Sequence, residues 1–270
     1  MTSRFMSNNK MLALFAKVVN RFLGRKLHVI IKEDLSYAKD NLFTYNLTPF
    51  MRDTAFMKAY HLGKATDKDR FLKGVDLEWR LHTLCWAAQQ ALKLAGDFVE
   101  FGVRTAFFST TIMDYLQFEK EERNFVMIDS FRGVIPDVLT DSEYKREQPG
   151  VKSNALWGQV YEDVLNQFSS RPNVRVVKGI VPEILPALNL DKIAFVSMDL
   201  NSAIPEKAAL EFLWDKIVPG GLIILDDYGY PGFEAQQKIH DEFAKSKGTS
   251  VLCLPTCQGM IIKPKTIQPQ

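Results

Sequence analysis

The chain has 270 residues, 46% hydrophobic and 24% charged, an ordinary globular composition with enough material for one large α/β core and an extension. Its 34 basic and 32 acidic residues leave a net charge of +2, so no global field points to nucleic acid and partners must be argued locally. Cys85, Cys253 and Cys257 form no Cys-x-x-Cys pair, which favours reduced thiols in a cytoplasmic setting over disulfides, and no run of about 18 apolar residues offers a membrane span.

The first 32 residues are the exception to the balanced charge: Arg4, Lys10, Lys17, Arg21, Arg25, Lys26 and Lys32 face no acid. From Met11 to Leu23 apolar residues recur at three- and four-residue steps with Lys10, Lys17 and Arg21 opposite, which predicts an amphipathic helix. Packing on the domain or on a second subunit, as in a homodimer, is favoured over peripheral contact with an anionic membrane surface. The segment lacks the small-residue cleavage site of a secretory signal. Residues 34–75 show no sustained period, and Leu77 to Leu94 then gives a helical stripe ended by Gly96.

Five strand candidates follow: Asp97–Gly102, Asn124–Asp129, Val174–Gly179, Ile193–Asp199 and Gly221–Asp226. Between and after them lie helical segments at Thr105–Phe118, Ala155–Phe168, Pro182–Leu188, Pro205–Ile217 and Phe233–Lys245. Strands alternating with helices mean a parallel sheet with right-handed crossovers. The tail has two apolar runs, Ser250–Leu254 and Gly259–Lys263, too close together for anything but an antiparallel hairpin. A parallel sheet finished by a hairpin is the class I methyltransferase pattern. The stretch Arg132–Asn154, rich in Gly, Pro and charge, sits after the second strand as an irregular loop and a candidate substrate lid.

The chemistry concentrates at strand ends, outside which open parallel sheets bind ligands. Asp199 ends one apolar run, and Asp226 and Asp227 end another. Two acids after a buried strand repel each other unless a cation or hydrogen-bond donors intervene. Hard carboxylate oxygens, with no Cys or His clustered beside them in sequence, suit magnesium better than zinc. Asp129, at the end of the second strand, stands where an acid takes hydrogen bonds from ribose hydroxyls, a logic that also holds for S-adenosylmethionine. Glu100 and Gly102 close the first strand, and Gly102 stands alone where a dinucleotide fold would place three glycines, which argues against NAD.

The segments GDFVEFGV, MIDSF, VKGIVPEILPAL, VSMDLN and VPGGLIILDDYGYPG resemble the macrocin O-methyltransferase family, over roughly Phe56 to Lys247. The resemblance implies a Rossmann-like class I fold in an S-adenosylmethionine-dependent domain over residues 77–270, preceded by a helical and irregular extension over 1–76. It implies that Asp199, Asp226 and Asp227 hold Mg2+, that Asp199 is also the general base, and that Glu100, Gly102 and Asp129 line the cofactor site, with Ser130 and Gly179 near ribose and adenine. The expected reaction methylates a hydroxyl of a sugar, glycosylated natural product or polysaccharide precursor; a catechol-type methyltransferase and a non-catalytic binding protein of the same fold are the alternatives. Two departures stand out: Arg104–Phe108 replaces the family's glycine-rich turn, and Asn201 stands where the family often has Tyr.

Overall fold

The computed structural model describes residues 35–147 and 154–265, with 18, 19 and 21; the predicted helix Met11–Leu23 therefore lies largely outside the described residues. The chain forms two compact units, Met1–Pro49 and Phe50–Gln270. In the first, β1 (Tyr37–Lys39) and β2 (Leu42–Thr44) pair antiparallel, Tyr37 opposite Thr44. Asp40 and Asn41 join them at φ 49° and 58°, the left-handed pair that a two-residue hairpin needs.

The second unit is built on a seven-stranded sheet. In chain order it contains α1 (Thr54–Ala65), α2 (Glu78–Ala91), β3 (Asp97–Phe101), α3 (Phe107–Leu116), β4 (Phe125–Asp129), α4 (Asp141–Glu147), α5 (Asn154–Phe168), β5 (Val174–Lys178), β6 (Ile193–Met198), α6 (Ala203–Leu213), β7 (Ile217–Leu225), α7 (Glu234–Ser246), β8 (Leu252–Cys253) and β9 (Gly259–Ile262). Strand order is β5-β4-β3-β6-β7-β9-β8. The first five strands run parallel, and β9 joins antiparallel to β7, Leu222 opposite Ile262, with β8 outside it. The parallel sheet with its closing hairpin is as the sequence implies.

The parallel strands read as continuous apolar runs because both faces are covered. Phe98, Phe125 and Phe195 point into one core with residues of α1, α2 and α3, while Val99, Phe101, Val126, Ile128 and Val196 point into the other with residues of α6 and α7. Each fully buried Phe contributes about 2–3 kcal/mol of hydrophobic stabilisation. The common direction of the parallel strands puts the carboxyl ends of β3, β4, β5, β6 and β7 on one rim, and the site is built there.

Three elements differ from the sequence reading. Residues 34–75 contain α1, nucleated by Asp53, whose side chain accepts hydrogen bonds from Ala55 N and Phe56 N at 2.9 and 3.1 Å. The helix expected over Pro182–Leu188 shrinks to a single 3-10 turn, Leu185–Ala187, since Pro186 brings no N–H to continue the ladder. The loop Arg132–Asn154 carries the 3-10 turn Pro136–Val138 and α4; residues 148–153 lie outside the described ones. Among the described residues no helix is long and apolar enough to cross a membrane.

Candidate active site

Asp199 leaves the end of β6, and Asp226 and Asp227 leave the adjacent end of β7. Their carboxylates converge so that one oxygen from each lies within 4.8 Å of the others. The parallel register that pairs Met198 with Leu225 places the two arms side by side. All three side chains are at least about nine-tenths buried: 10% exposed for Asp199, 7% for Asp226 and 12% for Asp227.

What holds three acids together comes from far along the chain. Arg80, buried on α2, sends Nη1 to Asp226 Oδ2 at 2.8 Å and to Asp227 Oδ1 at 3.3 Å. Gln258, at the β8–β9 turn, donates from Nε2 to Asp226 Oδ1 at 3.0 Å. Asn201 donates from Nδ2 to Asp199 Oδ1 at 2.7 Å, and Arg104 Nη2 lies 3.9 Å from Asp199 Oδ2. The two guanidinium charges do not match three carboxylates. Burial first, then repulsion from Asp226 and Asp227, raises the Asp199 carboxyl well above its ordinary range. Burial and Asp226 push Asp227 up to about 7, against the pull of Arg80.

On the other side of β3, Asp129 is served by its own neighbourhood. Arg104 N donates to Oδ2 at 2.8 Å and Phe131 N to Oδ1 at 2.6 Å. Burial raises its carboxyl, and those N–H groups lower it. Both donors sit in left-handed backbone, Arg104 at φ 50° and Phe131 at φ 48°, a local strain held by the surrounding fold. Gly179 N donates to Asp129 O at 2.9 Å, and a Cβ on Gly179 would lie 2.5 Å from Ile184. Ser130 turns inward to its own loop: Oγ donates to Gly133 O at 3.2 Å and accepts from Arg132 N at 3.1 Å. Glu100 is fully buried and takes a hydrogen bond from Ser109 Oγ of α3; burial pushes its carboxyl up to about 8 despite that bond.

Gly102 connects the two halves. At φ 85° it makes a turn that glycine alone enters freely, and a Cβ there would stand 1.8 Å from Asp199 O. The glycine of the first strand is thus the residue that lets the Asp199 backbone pass.

Above the rim, the segment after β4 reaches across. Arg146 of α4 donates to Asn201 O at 2.8 Å and Gly232 O at 2.7 Å, its guanidinium 3.6 Å from the Phe233 ring centre. Glu143 accepts from Ala203 N at 2.7 Å and Thr140 N at 2.8 Å. The segment expected as an irregular loop is thus anchored to the turns that carry Asp199 and follow Asp227.

Of the sequence candidates, Asp199, Asp226 and Asp227 form one cluster, and Glu100, Gly102, Asp129 and Gly179 occupy the neighbouring strand ends. Arg80 holds the acidic pair, its guanidinium 5.4 Å from the centre of the Tyr230 ring. Tyr60 accepts a hydrogen bond from Leu77 N at 3.0 Å inside the core. Trp157, which follows the loop, packs on Phe71 with ring centres 5.0 Å apart. Gln258 and Glu143 escaped sequence reading. Arg80 had a readable signal, a cation on the apolar stripe of α2 that needs a buried counterion.

The profile of the macrocin-O-methyltransferase (TylF) family matches residues 30–251. A curated relative, the 8-demethyl-8-(2,3-dimethoxy-alpha-L-rhamnosyl)-tetracenomycin-C 4'-O-methyltransferase of Streptomyces olivaceus, is 26% identical over 204 residues, spanning 70% of this chain and 78% of its own. Among solved structures, the O-methyltransferase NovP superposes with a TM-score of 0.58 at 20% identity, covering 69% of this chain and 80% of its own. CalS11, a calicheamicin methyltransferase, gives 0.52 at 16% over 88% and 99%. The S-adenosylhomocysteine-bound methyltransferase PaMTH1 of Podospora anserina gives 0.53 at 11% over 78% and 88%.

Proposed function

Since the chain belongs to the macrocin O-methyltransferase family, we propose that it moves the methyl group of S-adenosylmethionine to a hydroxyl of a sugar or glycosylated natural product, with a divalent cation, magnesium, at Asp199, Asp226 and Asp227. It is an S-adenosylmethionine-dependent O-methyltransferase of class I fold. The sugar acceptor is supported by the Streptomyces olivaceus relative, whose name places the methyl on a rhamnosyl group.

The observation that carries the cation is the buried acidic cluster. Three hard oxygen donors converge, neither thiol nor imidazole belongs to the cluster among the described residues, and Arg80 and Arg104 leave one negative charge uncompensated. Such a donor set fits Mg2+. A dication held there supplies the positive charge that makes ionisation of a sugar hydroxyl less costly. The chain's own residues do the rest. Asp199, fixed through Oδ1 by Asn201, keeps Oδ2 for the hydroxyl proton. Asp129, held by two N–H groups, offers its remaining lone pairs to the ribose diol. Glu143 and Arg146 hold the cover that keeps water from the sulfonium. In the transfer, the carbon–sulfur bond breaks as the carbon–oxygen bond forms, the proton goes to Asp199 and S-adenosylhomocysteine leaves.

The test is methyl transfer from labelled S-adenosylmethionine to a panel of glycosides with free vicinal hydroxyls, with EDTA and after magnesium is restored. Chelation should abolish turnover and magnesium recover it, and Asp199→Ala should lower kcat about 1,000-fold. Full activity in EDTA sinks the cation; full activity of Asp199→Ala sinks the base. Turnover of a catechol with every glycoside untouched replaces the sugar acceptor.

A further inference from the structure

Behind the acidic cluster lies a second buried polar group that the reaction described above does not use. Glu206, in the first turn of α6, is 1% exposed, as are Gln236 and His240 of α7. Glu206 Oε1 accepts from Leu200 N at 2.9 Å and from Gln236 Nε2 at 3.0 Å. Oε2 lies 2.8 Å from His240 Nε2, off the axis of a hydrogen bond, and the His240 ring stacks on Tyr228 with centres 6.2 Å apart.

The connections matter because of where they lead. Leu200 is the peptide between Asp199 and Asn201, in a turn whose Asn201 is held at φ 57°. Tyr228 directly follows Asp227, and α7 is the next helix. One side chain therefore ties together both arms of the cluster. A glutamine at 206 would still accept from Leu200 N, so backbone geometry alone does not call for a charge here. The chain nonetheless places an acid here, and Glu206 is among the groups that raise Asp199 and Asp227. A fourth buried carboxylate opposes the cluster of acids by itself and favours it once a dication is bound, as outer carboxylates around metal sites do.

We infer that Glu206 is a positioning residue for the carboxylate site: through Leu200 N it fixes the turn that aims Asp199, through Gln236 and His240 it sets that turn against the Asp226–Asp227 arm, and its charge strengthens the hold on a divalent cation. This inference rests on the cation reading of the site.

The test titrates Mn2+ into the full-length protein without added metal, followed by the EPR signal of free Mn2+, and S-adenosylhomocysteine into the same samples by calorimetry. Glu206→Gln, which keeps the shape, should bind Mn2+ about tenfold more weakly with S-adenosylhomocysteine affinity unchanged; Glu206→Ala, if it folds, should lose more. Unchanged Mn2+ affinity in Glu206→Gln overturns the contribution of the charge, and unchanged affinity in Glu206→Ala as well overturns the positioning role; either leaves the cation reading standing. Equal weakening of both ligands also overturns it, marking Glu206 as a general structural residue. A wild-type protein that binds no Mn2+ overturns the cation reading, and this inference with it.

Discussion

Asp129 and Asp199 stand at strand ends on either side of β3, and the fold treats them in opposite ways. Asp129 takes hydrogen bonds from two backbone N–H groups, one from Phe131 in its own loop and one from Arg104 on the adjoining turn. Asp199, Asp226 and Asp227 are held by side chains of residues as distant as Arg80 and Gln258, and repulsion among them persists. The first is an acceptor satisfied by its surroundings, shaped before any ligand arrives. The second is an assembly whose charge is balanced only from outside. On the function we propose, a neutral diol suits one and a cation the other, and the polar wiring of each acid would separate a cofactor half from a chemical half.

The separation has one weak seam, and the strongest perturbation goes there. Gly102→Ala puts a methyl group into Asp199 O and forces a left-handed alanine, which should cost about 4 kcal/mol or more and lower Tm by about 10 °C in calorimetry. If instead the variant melts like the wild type and binds S-adenosylmethionine poorly, Gly102 belongs to the cofactor half alone. Next in size, Asp129→Ala should weaken S-adenosylhomocysteine about 100-fold in calorimetric titration, through lost charged hydrogen bonds, and leave Mn2+ binding as it was. Loss of both together would mean the halves are one unit. The gentlest probe is Glu100→Gln. Burial raises this carboxyl to about 8, so the folded state holds the proton more tightly than the unfolded one; its stabilising share is complete below about pH 4.5 and lost as pH rises through about 8. Urea midpoints of wild type and variant should meet near pH 5 and part towards pH 8, with the Gln variant the more stable. Parallel curves would place an ionised Glu100 in the fold.

The same contrast explains what the sequence disclosed. Asp129 was legible because its environment is local: an apolar strand, then an acid, beside a strand closed by Gly102. The three-acid cluster was legible as strand-end acids, since parallel register brings the ends of β6 and β7 together whatever the loops do. Its supports were not. Arg80 meets Asp226 across 146 positions and Gln258 reaches it from a hairpin turn; a cation on the stripe of α2 calls for a counterion, but no periodicity names the partner. Helix α1 carries both a cap at Asp53 and a buried stripe, Phe56, Ala59, Tyr60 and Gly63, but the stripe is short and ends on a glycine. Helix α4 stayed hidden for a related reason: seven polar-rich residues gain their order from Glu143 and Arg146 bonding to other turns.

The contact between Gly102 and Asp199 O also bears on how such a protein can be redesigned. Two turns so interlocked can be exchanged only as a pair, and a first-strand motif transplanted from a relative would arrive without the backbone it was fitted to. The segment after β4, by contrast, is fastened by Glu143 and Arg146 of α4 and by Val138 O, which accepts from Ser202 Oγ at 2.8 Å. Residues 136–147 therefore form a cassette only with Glu143 and Arg146 retained, because Ala203 N and Asn201 O beneath bond to them, and a library for new acceptors should vary the positions between.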